Sequence, residues 1–186
     1  MPNPSKAKGD AMEREIVAVL IAMAPDLCVE RAERMLGAGR RDDIGDLRVF
    51  DDVTVQVKAY KDLIVAIRLA SEGAVEQQAR AGTSFAVGMS PIPRASKASG
   101  AVRWLAAAIE WPAPEVGERA STESFTNASS VKAVAWLADR TGDLPIDERV
   151  AEIVRPDKPA LWVGPVQAWL RDYRRAIAVG AAVQAA

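Results

Sequence analysis

Histidine is absent from the 186 residues. Its absence removes serine–histidine and cysteine–histidine nucleophilic catalysis, phosphohistidine relays and histidine-bearing zinc sites. Cysteine is nearly absent too. Cys28 stands alone, so no disulfide can form within the chain, and a reducing, cytoplasmic setting is expected. No apolar run approaches the ~20 residues of a membrane-spanning helix. The longest, from Ile16 to Pro25, is about half that length, and no apolar secretory core follows the opening residues. An excess of either charge is also lacking: 24 Lys and Arg face 25 Asp and Glu. That balance disfavours a non-specific nucleic-acid coat and leaves room for a local basic surface. With no imidazole and one thiol, any bound metal must be a hard cation such as magnesium or manganese, held by carboxylates and carbonyls.

What remains is a composition that is 49% hydrophobic, enough for a folded core. Met12, Ile16, Val19, Leu20 and Met23 recur at helical spacing and predict a helix over Lys8–Ala24, closed by Pro25. The stretch from Gly37 to Asp46 carries three glycines and five charges in ten residues and reads as a charged loop. A short strand is expected over Leu47–Phe50, then a turn at Asp51–Asp52, then a strand over Val53–Ala59. Its alternation turns Val53, Val55 and Val57 to one face and Thr54, Gln56 and Lys58 to the other. Leu63–Ala81 predicts a helix despite Gly73, Phe85–Met89 a buried strand, and Val102–Trp111 either a helix or, in preference, a last strand that completes the sheet. From Pro112 to Ser130 the composition shifts to Pro, Glu, Gly, Ser and Thr and reads as a linker or long loop. Val131–Arg140 and Val166–Ala178 read as helices. The expected organisation is a core over 1–111, a linker over 112–130 and a C-terminal extension over 131–186.

Four features follow one another in the first half. Gly9, then Glu13-Arg14-Glu15, lies on the first helix. Asp46-Leu47 closes the charged loop. Gln56-Val57-Lys58 lies on the next strand, and a glutamine- and arginine-bearing helix follows. In this order the chain resembles the PD-(D/E)XK nuclease superfamily, and within it the archaeal-type Holliday junction resolvases and related phage endonucleases. The resemblance covers roughly residues 5–110. It implies an α/β fold of the restriction-endonuclease-like kind, a central mixed sheet flanked by helices, here with a helical C-terminal extension. It also implies a magnesium-dependent endonuclease (manganese as substitute) that acts on branched or four-way DNA as a two-fold homodimer. Most of the family carries Glu or Asp where this chain has Gln56. Some active branches use Gln, and a neutral ligand weakens metal affinity.

Elementary chemistry supports the same residues. Phosphodiester hydrolysis needs a cation on the non-bridging oxygens and an activated water. Asp46, Glu13, the Gln56 amide oxygen and the Val57 carbonyl are the candidate ligands. Lys58 is the candidate catalytic residue, able to orient water and offset charge building on phosphorus. Arg34, Arg40, Arg41 and Lys61 are candidate phosphate contacts. Other readings stay open: a restriction- or repair-type nuclease of the same fold, a catalytically silent DNA-binding protein, or a structural protein of a phage particle.

Overall fold

The computed structural model describes residues 4–34, 46–93, 103–139 and 144–184. The chain is α/β. Eight strands form one mixed sheet: β1 (Glu33–Arg34), β2 (Leu47–Arg48), β3 (Val53–Val57), β4 (Phe85–Pro91), β5 (Trp104–Ala108), β6 (Thr122–Thr126), β7 (Val150–Val154) and β8 (Leu161–Pro165). Their order across the sheet is β1-β2-β3-β4-β5-β8-β7-β6. Four α-helices cover it: α1 (Pro4–Met23), α2 (Leu63–Ala81), α3 (Ser130–Ala138) and α4 (Val166–Gln184). Among the described residues no helix is long and apolar enough to cross a membrane.

Two strand pairs are parallel, β3 with β4 and β6 with β7, and the remaining neighbours are antiparallel. Parallel neighbours need a crossover. Here α2 crosses between β3 and β4, and α3 between β6 and β7. Both helices pack on the same face, where Ile67, Ala133 and Leu137 meet Leu105, Ile153 and Val163. The opposite face takes α1 and α4, through Ile16, Leu20, Trp169 and Leu170 on Val55, Val87 and Ala106. Two β-α-β-β units thus meet back to back along the antiparallel β5–β8 pair, although the sequence itself shows no repeat.

Helix α2 follows its sequence signals closely. Asp62 caps its start by accepting the Val65 N–H at 3.1 Å. Gly82 ends it in the left-handed region with φ 70° and returns its N–H to Gln78 O at 2.8 Å. Strand β3 departs from expectation in one respect: both of its faces are buried. Its polar face is not half-exposed, because α2 lies over Thr54 and Gln56.

The expected linker over 112–130 is corrected. Pro114–Glu118 is a 3-10 turn, and Thr122–Thr126 is an edge strand paired in register with β7. Nor is the region over 131–186 only a helical extension, since β7 and β8 belong to the sheet and β8 pairs with β5. Polar edge residues such as Glu123 and Ser124 are exposed and gave β6 the look of a loop. The segment is held by a buried carboxylate. Asp172 on α4 is fully buried and accepts Trp111 Nε1 at 2.8 Å, Arg119 Nη1 at 2.6 Å and Arg171 Nε at 3.1 Å. Burial opposes the Asp172 charge, but hydrogen bonds from Arg171, Arg119 and Trp111 hold its carboxyl below the usual range.

Helix α2 approaches the sheet most closely at Gly88. A Cβ there would lie 2.3 Å from Ser71 N and 2.4 Å from Ala70 C, both backbone atoms. Gly73 differs, since its Cβ would meet only the Gln56 side chain, nearest atom at 3.4 Å. Gly88→Ala is therefore expected to lower stability by ~1–3 kcal/mol or more through overpacking. Gly73→Ala should raise it by about 0.5–1 kcal/mol through helix propensity. Thermal unfolding of the two variants checks the opposite signs. Asp172→Ala leaves the buried Trp111 N–H without its acceptor and Arg119 with Glu115 alone, so a loss of about 1–3 kcal/mol is expected in urea unfolding.

Candidate functional site

The β2–β3 hairpin pairs Leu47 with Val55. One residue further along this antiparallel ladder, Asp46 falls opposite Gln56, and both point to the α2 side of the sheet. The Asp46 N–H donates to Val55 O at 2.9 Å. Its carboxylate Oδ2 accepts the Val57 N–H at 2.7 Å and the Gln56 Nε2–H. No hydrogen bond reaches Oδ1 from the described residues. Asp46 is thus tied by backbone and side chain to β3, with one carboxylate oxygen left over.

Two further charges act on it. The Lys58 ammonium, one residue past β3, and the Glu13 carboxylate, on α1, both lie within electrostatic reach of Asp46. Burial is the largest influence and pushes the Asp46 carboxyl above its ordinary value. The Val57 N–H, Lys58 and Gln56 pull the other way, and Glu13 adds to the rise. The cluster sits at the carboxyl ends of the parallel strands β3 and β4, where open α/β sheets place ligand sites.

Glu13, Asp46, Gln56, Val57 and Lys58 are therefore brought together. The remaining expectations fall elsewhere. Arg34 lies on β1. Arg40 and Arg41 lie outside the described residues. Lys61 is exposed and lines a cleft beside the cluster. Gln77 on α2 is buried, and its neighbour Gln78 donates to Thr83 O at 3.1 Å. Among the tryptophans of the second half, Trp169 is core, stacked on Tyr173 with ring centroids 5.0 Å apart.

Sequence reading passed over Glu15. Its carboxylate takes a two-pronged ion pair from Arg103 Nε and Nη2, the latter at 3.0 Å, and the Trp104 Nε1–H at 3.3 Å. This pins α1 to the start of β5 and so fixes where Glu13 arrives. The Glu-Arg-Glu run contained the signal, but its partner lies 88 residues away.

The donor set can be weighed against a metal. Among the described residues no group of three Asp, Glu, His or Cys side chains is placed to hold one. Two carboxylates suffice for magnesium, which commonly keeps waters and takes substrate phosphate oxygens as its other ligands. Gln56 presents its amide nitrogen to Asp46. A half-turn of the amide puts the oxygen at the same point. No family model, no curated protein and no solved structure matches the chain.

A pH dependence follows from the Asp46 burial. Below its ordinary value of 3.8 the carboxyl is protonated in folded and unfolded chains alike and costs nothing. Above its raised folded value the folded chain must hold a disfavoured anion, so its contribution to stability falls across that window. Asp46→Asn keeps an acceptor for Val57 and Gln56 and removes this penalty. Expected in thermal unfolding is a variant more stable than wild type at pH 7, the gap closing as pH drops through the window. Added magnesium or manganese should raise the wild-type Tm and leave the variant unmoved.

Proposed function

We propose that this protein is a magnesium-dependent DNA endonuclease acting on branched DNA, in the manner of the junction resolvases its first half resembles. One observation carries the reading. An acid from a helix and a lysine just past a strand lie within electrostatic reach of a strand-start carboxylate that burial disfavours as a bare anion. A divalent cation there would supply Lewis acidity to the phosphate and lower the pKa of a bound water.

The residues divide the work by position. Asp46 Oδ1 and the Glu13 carboxylate would hold the cation by charge, and the Val57 carbonyl and the turned Gln56 amide would offer neutral oxygens. Lys58 would place its ammonium beside the attacked phosphate, to orient water and offset charge in the transition state. Arg34, Arg40, Arg41 and Lys61 would contact flanking phosphates. Two symmetric cuts call for a homodimer, in a cytoplasmic setting.

A second reading is favoured by a specific feature: Gln56 turns a donor, not an acceptor, toward Asp46. A silent DNA-binding protein on the same fold would keep that clamp and bind junctions without cutting.

Cleavage of a labelled four-way junction, with linear duplex as comparison and magnesium or manganese added, tests both. Wild type is expected to cut the junction in preference to duplex. Lys58→Ala should lose roughly 10²–10³-fold in rate, and Asp46→Ala should fall to background. Cutting that survives both changes overturns the site. Tight binding with no cutting under either metal selects the silent reading.

A further inference from the structure

A cleft of about 330 Å³ opens directly beside the cluster. Its walls are chain neighbours of the site: Met12 precedes Glu13, and Ala59 and Tyr60 follow Lys58. That volume lies near the lower end of the ~300–1,000 Å³ typical of ligand clefts. Tyr60 is 48% exposed, a large ring left at the rim. Met12, Ile92 and Pro93 provide an apolar floor.

Lys8 and Lys61 add two exposed cations. Neither has an ion-pair partner among the described residues, whereas Arg103 at the back wall is committed to Glu15. Lys8 lies one helical turn before Met12, so both face the cleft from α1. An exposed aromatic ring, an apolar floor and two lysines complement one ligand chemistry: a flat base attached to a phosphate.

We infer that this cleft takes one unpaired nucleotide of the DNA strand next to the scissile phosphate. Its base stacks on Tyr60 and its phosphate is held by Lys8 and Lys61. This rests on the endonuclease reading above and narrows its substrate class. Bases inside a continuous duplex stay stacked and reach Tyr60 only by flipping, at a cost. Bases at gaps, single-stranded flaps and frayed ends are already unstacked. The site therefore prefers DNA that exposes an unpaired nucleotide beside the cut.

The test is a binding measurement without divalent metal, so that no catalysis enters it. Fluorescence anisotropy in EDTA follows a short fluorescein-labelled oligothymidylate and a blunt duplex of equal length. Wild type is expected to bind the single strand more tightly than the duplex. Tyr60→Ala should weaken single-strand binding roughly tenfold, as loss of one stacked base does, with duplex binding unchanged and Tyr60→Phe retaining wild-type affinity. Lys8→Gln and Lys61→Gln should each reduce the slope of log affinity against log salt by about 0.7. No single-strand preference in wild type overturns the proposal, as does unaltered affinity in Tyr60→Ala or a Tyr60→Phe variant as weak as Tyr60→Ala.

Junction cleavage run in parallel separates this from the endonuclease reading. Cutting by wild type, with Tyr60→Ala binding normally, removes the nucleotide cleft alone. Tyr60-dependent binding with no cutting under either metal removes the endonuclease and keeps the cleft.

Discussion

The pairing of β2 with β3 governs where the charged groups end up. The ladder itself is short, since β2 is two residues long. Its register is held by one side chain, because the Asp46 carboxylate extends the ladder by accepting the Val57 N–H beyond the last backbone pair. A slip of one residue would move Asp46 to the face of α1 and leave Gln56 opposite an apolar neighbour. The hairpin's other end is held in the same way: Asp52 accepts the Ser84 N–H at 2.7 Å on its side chain and the Phe85 N–H at 3.1 Å on its carbonyl. Two aspartates thus fasten a weak hairpin to the parallel pair at the centre of the fold.

Around that hairpin the two helical layers have different tasks. Helix α2 lies so close to β4 that only glycine fits at Gly88, and it closes the polar face of β3 over Gln56. Helix α1 crosses the other face and is held by the Glu15–Arg103–Trp104 contact, two residues past Glu13. The site draws on three elements, and each is positioned by contacts that perform no chemistry themselves.

The second half of the chain is structurally inseparable from the first. Phe50, in the turn after β2, packs against Trp169 and Tyr173 of α4 with centroids 5.9 and 5.4 Å apart. Phe85 meets Tyr173 edge-on at 5.2 Å. The buried Asp172 collects Trp111, at the end of the first half, and Arg119, from the polar stretch that follows. Such a buried charge costs desolvation and is retained only with good partners. Here its partners draw a segment of loop-like composition into the body of the fold.

Much of the first half was legible because its signals are local. The boundaries of α2 follow from Asp62 and Gly82, and the alternation of β3 assigns Gln56 and Lys58 to one face. The order of Glu13, Asp46, Gln56 and Lys58 could be read along the chain as a candidate constellation. The strands β6 to β8 were not legible: β6 is a polar edge strand, and the β6–β7 and β5–β8 pairings join residues far apart in sequence. Glu15 was missed for the same reason. Taken alone, the residues pointed to the α/β class, excluded imidazole chemistry, and named candidate hard-cation ligands. Tertiary structure decided that the C-terminal half completes the sheet, that both faces of β3 are buried, and that a tyrosine-rimmed cleft lies beside the carboxylates. These depend on contacts between distant residues, and local periodicity carries no information about which distant surfaces will meet.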